Sequence, residues 1–266
     1  MKNKELLFLH LLSPMHVGGN YEFSIVDQPI QREGHTGFPK IEASSLKGSI
    51  RHDYARRRPN DEKEKAIFGH KDQAGDVIFT DGRILFFPVR SAKGVYALIT
   101  CPSIMKRFGD DIGKDIAIPD VKENQAYTAQ KTNIVLDDKV LLDEYLYEQV
   151  TENEDFTKWV EFMEKKINGV TIQEHALLLS DDEFAYFVQH CTEIITRTAI
   201  NPETNTVEDR FLFDEEYVPT ESIFYSVVFS DQHTINELGL DILQIGGNMT
   251  LGKGFVKTYQ AEVYDK

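Results

Sequence analysis

The sequence predicts an α+β fold, a sheet built from split β-α-β units, on three observations. Strand patterns stand at both ends of the chain, at Glu5–Leu12 and Gly254–Tyr264; helical spacings are interspersed between them; and no internal repeat or low-complexity tract breaks the chain up. At 266 residues the chain is long enough for one elaborated core with insertions or for two smaller ones.

The elements follow in order. Met1-Lys2-Asn3-Lys4 ahead of an apolar run imitates a secretory leader, but Glu5 and His10 interrupt the run and no small-residue cleavage site follows, so Glu5–Leu12 is expected as a buried strand. Residues 13–38 read as a long irregular loop, unusual enough in a compact protein to point to function. Ser44 or Ser45 is the expected cap of a helix reaching about Arg58, with Leu46, Ile50 and Tyr54 turned to the core and Lys47, Arg51 and Arg58 turned outward. Asp81-Gly82, between Val77–Thr80 and Arg83–Phe87, reads as a hairpin turn, and Gly94–Cys101 as a further strand. Residues 110–153 are acidic and irregular and are read as an insertion or mobile loop. Phe156, Trp159, Val160, Met163 and Ile167 mark an amphipathic helix, and Ser180-Asp181-Asp182-Glu183 is a capping box opening another. Thr192–Ile200, followed by the turn-rich Asn201–Thr206, fits a projecting arm, with Glu215-Glu216-Tyr217 as a charged loop edge near its second half. Ser222–Phe229 is a strand, Gln232–Leu243 a helix, and Gly254–Tyr264 the closing strand.

Composition narrows the function classes. A net charge of −15 opposes long-range attraction to a polyanion, yet residues 1–58 carry nine Lys/Arg against six Asp/Glu, whereas the remainder carries twenty against thirty-eight. The positive surplus therefore coincides with the irregular loop. Two distant cysteines, Cys101 and Cys191, make no disulfide framework and suit a reducing cytoplasm. No apolar run approaches the roughly 20 residues that cross a bilayer, so no membrane partner is expected.

Two segments carry the chemistry. Residues 25–39 hold a single acid, Asp27, before Arg32, among turn-formers and donors that include Gln31, Arg32 and His35, and they lead into Ser44, Lys47 and Arg51. A polar loop feeding a cation-lined helix start suits a phosphodiester. Near the other end, Gly246-Gly247-Asn248-Met249-Thr250-Leu251-Gly252-Lys253-Gly254 can bring bare backbone against a ligand. From Gly247 it nearly matches the phosphate-binding loop of nucleotide hydrolases, but Gly254 replaces the hydroxyl residue and a β-rich segment follows where a helix is needed. Taken alone, Asp27 reads as a turn aspartate bonding its own backbone, or else as a metal ligand or proton acceptor at a scissile phosphate. His16 is a loop histidine or an acid, base or orienting group beside it. Lys47, Arg51 and Arg58 form an ordinary solvated face or a phosphate contact. No Cys/His cluster indicates zinc.

Five segments make a specific resemblance: Val26–Glu33, His35-Thr36-Gly37-Phe38-Pro39, Phe86-Phe87-Pro88-Val89-Arg90-Ser91, Lys93-Gly94-Val95-Tyr96 and Gln244-Ile245-Gly246-Gly247-Asn248. On these the whole chain resembles the repeated backbone RAMP subunit of the type III-B CRISPR effector, the Cmr complex. The resemblance implies an RRM-like (ferredoxin-like) palm of about residues 1–109 and 219–266, an insertion of about 110–191 and a β-hairpin thumb of about 192–218, together one RAMP domain. It implies copies stacked along a CRISPR RNA with other subunits of the complex, and cleavage of complementary target RNA at regular intervals. Asp27 matches the loop aspartate that acts with a divalent ion, Mg²⁺ or Mn²⁺, weakly bound and drawn from bulk. His16, Glu215 and Tyr217 match supporting positions, and Gln31, Arg32, His35, Ser44, Lys47, Arg51, Arg197, Gly246, Gly247 and Lys253 are expected to contact RNA. Two other readings stay open on sequence alone. One is a non-catalytic RNA-binding scaffold of the same architecture, and the other a metal-free trimmer of CRISPR RNA precursors using histidine acid-base chemistry.

Overall fold

Leu6, Leu7, Phe8, Leu9 and Leu11 are all buried, so the first strand, Asn3–Leu11, is covered on both faces rather than alternating. That places it inside a sheet flanked on either side. The computed structural model, which describes residues 3–19, 26–200 and 207–263 and, within these, side chains other than those of 199–200 and 207–211, shows this arrangement. Among the described residues one large mixed sheet runs, edge to edge, through Gln149–Glu152, Gln125–Thr128, Ala176–Leu178, Tyr96–Thr100, Gly82–Arg90, Ile223–Ser230, Asn3–Leu11, Phe255–Glu262 and Ile242–Gln244. The first strand pairs antiparallel on both sides, with Leu7 opposite Ser226 and Gln260. Helices Ala43–Arg57, Pro102–Ile112 and Glu154–Lys166 pack on the sheet, and Phe108 stands edge-on to Tyr225 at 5.0 Å and near Phe8 at 6.3 Å. The α+β expectation holds. Among the described residues no helix is long and apolar enough to cross a membrane.

Several local expectations are corrected. Asp81-Gly82 is not a hairpin turn: Ile78–Phe79 and Gly82–Arg90 both pair antiparallel with Ile223–Ser230, end to end along it. The break admits Lys40–Ile41, which pairs with Arg83 and Gly82. It also turns the Asp81 carboxylate onto the start of the first helix, where Oδ1 accepts from the Ala43 amide at 2.9 Å and Oδ2 from Lys40 Nζ at 3.1 Å. Neither Ser44 nor Ser45 caps that helix; its N-cap is Glu42, which makes no side-chain cap bond, so a residue from the break between two strands satisfies the orphan amide. Leu46, Ile50 and Tyr54 are buried as expected.

Residues 110–153 are not irregular throughout. They end the helix Pro102–Ile112 and then form short strands at Gln125–Thr128, Val140–Leu142, Tyr145–Tyr147 and Gln149–Glu152, the first and last of which join the main sheet. Several of the acids read as disorder-prone stand at left-handed corners between these strands, Asp137, Asp138 and Asp143 having φ of 49°, 60° and 49°, a conformation Asp tolerates. Gln232–Leu243 is a single 3₁₀ turn, Ile235–Leu238, ended by left-handed Gly239 and followed by the strand Ile242–Gln244. Tertiary acceptors override the helical pattern here. Asp76 accepts from the amides of Asp231, Gln232 and His233, and Glu5 Oε2 accepts from the Ile235 amide at 2.9 Å. The helices Glu154–Lys166, capped by Asn153, and Asp181–His190, with the Ser180/Glu183 capping box, match the sequence reading.

The projecting arm is a separate two-stranded hairpin, Glu193–Ile200 and Val207–Tyr217, paired from Glu193–Tyr217 outward to Ile200–Val207 across one irregularity. Its turn at Asn201–Thr206 lies outside the described residues.

The capping geometry gives a direct test by thermal unfolding. Asp81→Ala should lose about 1 kcal/mol and lower the melting temperature by about 2–4 °C, whereas Ser44→Ala and Ser45→Ala should stay within about 0.5 kcal/mol of the parent.

Candidate nucleic-acid interface and active loop

The irregular loop is laced between the two ends of the chain. Met15 and Val218 exchange backbone bonds of 2.9 Å, the Gly247 amide donates to the His16 carbonyl at 2.8 Å, and the Gly254 amide donates to Pro14 at 2.9 Å. Gly246 explains why glycines are needed there. At φ +88° a Cβ would stand 2.2 Å from the His16 carbonyl oxygen, so only glycine lets the two segments close. The glycine segment therefore brings bare backbone against the protein's own loop at Gly246.

Residues 26–30 pair with the hairpin strands at one point. The Gln28 amide donates to Asp214 O and the Glu216 amide to Gln28 O, both at 2.9 Å, in a parallel bridge between Gln28 and Glu215. Asp27, one residue before that bridge, is exposed, and its Oδ2 accepts from the Asp214 amide at 2.9 Å. It is therefore a carboxylate held by the hairpin and open to solvent, not one bonding its own backbone.

Strand alternation then sorts the hairpin base into two clusters. On one face Glu215, buried, accepts from Tyr217 Oη at 2.7 Å, Arg197 Nε at 2.9 Å and Asn248 Nδ2 at 2.6 Å. The Tyr217 hydroxyl also accepts from Arg197 Nη2 at 2.6 Å and Asn248 Nδ2 at 2.8 Å, while Lys253 Nζ lies 4.8 Å over its ring. Burial pushes the Glu215 carboxyl up, but the bonds from Tyr217, Asn248 and Arg197 together outweigh it and hold the group below its ordinary value of 4.5. Tyr217 is pushed up, by burial first and by its bond to Glu215 second. His16 packs against the same ring at 5.6 Å, and its Nδ1 lies 2.7 Å from the Glu216 carbonyl; with Nδ1 donating, Nε2 is left as the acceptor of the neutral ring.

On the other face Glu216 meets Arg32, Thr192 and the Ile30 amide. Beyond it opens a groove of about 1040 Å³ between the loop, the hairpin base and the end of the helix Asp181–His190, lined by Gln31, Arg32, Lys40, Gln189, His190 and Thr192 among others. Val26 and Pro29 line it as well, on either side of Asp27 in the chain, while the Asp27 carboxylate itself is turned to the Asp214 amide.

Residues 8–257 match the family model described as the RAMP superfamily. The chain belongs to that superfamily. It is 39% identical over 287 aligned residues, spanning 97% of this chain and 96% of the relative, to the CRISPR system Cmr endoribonuclease Cmr4 of Pyrococcus furiosus. Among solved structures it is similar to the crystal structure of oligomeric Cmr4 from Pyrococcus furiosus, with a TM-score of 0.79, 32% identity and 100% of both chains covered. It is similar in fold to a chain of the cryo-EM structure of the type III-B Cmr-beta bound to cognate target RNA, with a TM-score of 0.78, 22% identity and 97% and 96% of the two chains covered.

Within this RAMP fold the sequence-predicted residues fall into distinct settings. His16, Glu215, Tyr217, Arg197, Gly246, Gly247 and Lys253 converge on the hairpin base. Gln31 and Arg32 line the groove, although Gln31 Oε1 already accepts from the Glu42 amide and Arg32 is bound to Glu216. His35 and Ser44 are exposed. Lys47 is not on a solvated face: it reaches back to the Val77 carbonyl at 3.2 Å, and burial, then Arg51, lowers its pKa. Arg51 pairs with Glu64 at 2.7 Å, and Arg58 donates to the Glu237 carbonyl and lies over Tyr54. Glu215-Glu216-Tyr217 is strand, not loop edge, and all three are buried.

Sequence reasoning missed Asn248, Glu216 and Thr192. Asn248 had a signal, being the non-glycine residue best suited to the left-handed conformation (φ 59°) after two glycines. Glu216 had none, because strand alternation shows only once Glu215 and Tyr217 are known to share a face.

Among the described residues no three His, Cys, Asp or Glu side chains are arranged to hold a metal ion. Asp27 alone fits a hydrated ion ligated mainly by water and substrate oxygens, not a protein-caged one.

The ionised Glu215 contributes stability that is complete above its ordinary value and fades as pH falls through its lowered one. Glu215→Gln should therefore be less stable than the parent near pH 7, and the gap should close below about pH 4.5, read by urea unfolding at a series of pH values.

Proposed function

We propose that this chain is the backbone subunit of a type III-B CRISPR ribonucleoprotein in the cytoplasm, copies of which line a CRISPR RNA beside other Cmr subunits and cleave complementary target RNA at regular intervals. The observation that carries the proposal is Asp27: an exposed carboxylate fixed to the base of a projecting hairpin, in a segment whose Val26 and Pro29 line a groove. The likeness to the endoribonuclease Cmr4 over nearly the full length supports it.

RNA carries its own nucleophile, so cleavage needs the 2′-hydroxyl in line with the leaving oxygen, its proton removed, and charge on the phosphorane answered. A hairpin such as Glu193–Tyr217, inserted between nucleotides, displaces one of them and opens the in-line geometry. Asp27 faces the strained linkage and orients or accepts the proton of the attacking hydroxyl. His16 holds the hairpin base against the glycine segment, and Arg197 and Lys253, gathered around Tyr217, offer positive charge to the backbone of the bound strands. Asp27 would also hold a hydrated Mg²⁺ or Mn²⁺, which when bound supplies charge neutralisation at the phosphate.

In a reconstituted complex with guide and labelled target, Asp27→Ala should lower the cleavage rate by about 10³-fold and leave target affinity within about three-fold. Wild-type products should end in a 2′,3′-cyclic phosphate, and a chelator should stop cutting without releasing RNA. Full-rate cutting by the alanine variant excludes the catalytic assignment and leaves a scaffold.

A further inference from the structure

Glu216 stands between two residues that matched supporting positions, yet it points away from both and makes more polar contacts to the Asp27 loop than either. Its amide donates to the Gln28 carbonyl at 2.9 Å and its carbonyl lies 2.7 Å from His16 Nδ1. Its side chain, 7% exposed, accepts from three directions: Oε1 from Arg32 Nη2 at 2.5 Å and Thr192 Oγ1 at 2.9 Å, and Oε2 from the Ile30 amide at 2.9 Å. Arg32 in turn donates through Nη1 to the carbonyls of Gly37 and Val188, each at 2.9 Å, tying in the far end of the loop and the helix Asp181–His190.

The chain around Asp27 meets the hairpin itself at few points. Asp27 itself is exposed, with its carboxylate against the Asp214 amide, and Gln28 makes the single bridge to the hairpin. Backbone bonds tie Pro29 to Gly19 and Gln31 to Val17 within the loop, but the links from Ile30 and Arg32 to the hairpin both run through the Glu216 carboxylate. We infer that Glu216 is a positioning residue for the cleavage reaction: it sets the register of the loop against the hairpin base and so the place of the Asp27 carboxylate at the displaced nucleotide. This rests on the reading of Asp27 given above.

The requirement is for a charged acceptor with two oxygens. Glutamine in either orientation turns its NH₂ toward a donor, the Ile30 amide on one side or Arg32 and Thr192 on the other, and removes the charge that answers a largely buried guanidinium. Alanine would leave all three donors without a partner. Thr192 offers a gentler perturbation, since Thr192→Val removes one donor and keeps the carboxylate.

The test compares wild type, Asp27→Ala, Glu216→Gln, Thr192→Val and Thr192→Ser, each assembled with guide RNA, in single-turnover cleavage of labelled target with affinity measured alongside. Glu216→Gln should cut about 10- to 100-fold more slowly per assembled complex with target affinity within about three-fold, because a misplaced group costs rate rather than binding. Thr192→Val should show a smaller loss of the same kind, restored by Thr192→Ser. Hydrogen exchange on the isolated protein should show residues 26–32 losing protection in Glu216→Gln while the strand Asn3–Leu11 keeps it.

A merely structural role would lower the assembled fraction and leave the rate per complex unchanged, and that result overturns the inference. If Glu216→Gln fails to assemble, Thr192→Val decides: a wild-type rate with wild-type protection of 26–32 overturns it. If Asp27→Ala cuts at full rate, the reading of Asp27 falls and the positioning role with it. If Asp27→Ala is inactive while the Glu216 and Thr192 variants cut normally, the positioning role falls alone.

Discussion

Two adjacent carboxylates, Glu215 and Glu216, are withdrawn from water at the base of one hairpin, and strand geometry sends them to opposite faces. A buried carboxylate without partners costs several kcal/mol, so each must gather donors, and the donors available come from segments far apart in sequence. Glu215 draws in Arg197 from the facing strand and Asn248 from the glycine segment. Glu216 draws in Arg32 and the Ile30 amide from the irregular loop and Thr192 from the entry to the hairpin. Assembly of the site is therefore a consequence of charge satisfaction. The hairpin can project because its base is anchored on both faces, and the loop carrying Asp27 has a defined path because it supplies what one of these acids needs.

The same requirement shapes how an acidic protein can handle RNA. Arg32, Lys40, Lys47 and Arg51 each have a partner within the fold, so the positive surplus of the first 58 residues is largely spent on internal contacts. What remains toward the groove is mostly neutral: Gln31, Gln189, His190 and backbone. At the hairpin base Arg197 is likewise paired with Glu215, and Lys253 lies over the same tyrosine ring. The long-range field of a chain with charge −15 gives little steering toward a polyanion.

Legibility tracked the range of the interaction. Leu6–Leu11 as a buried strand, Leu46, Ile50 and Tyr54 on a helix face and the Ser180/Glu183 box were readable because periodicity and capping act within a few residues. Asp81-Gly82 was misread because its turn chemistry is genuine, but the tertiary structure spends it on a strand break that feeds Lys40–Ile41 into the sheet. Gln232–Leu243 carries a helical pattern that loses to Asp76 and Glu5, both distant in sequence. The acids of 110–153 looked like solvated disorder because like charges in a row do; three of them instead occupy left-handed corners. At the site the resemblance supplied His16, Asp27, Glu215 and Tyr217 and passed over Glu216, whose importance depends on which face of the strand it occupies.

By itself the sequence determined the α+β class, the apolar interior, the separation of a hairpin from the body and the identity of Asp27 as the one acid between Phe23 and Arg32. These follow from local patterns of size, polarity and turn chemistry. Only the tertiary structure decided that Asp27 rests against the Asp214 amide and faces solvent, that Lys47 of the first helix is engaged inward, and that Glu215 and Glu216 serve opposite faces. The physical reason is that a charge withdrawn from water takes whichever donors the folded chain brings within about 3 Å, and that choice is written in no single stretch of residues.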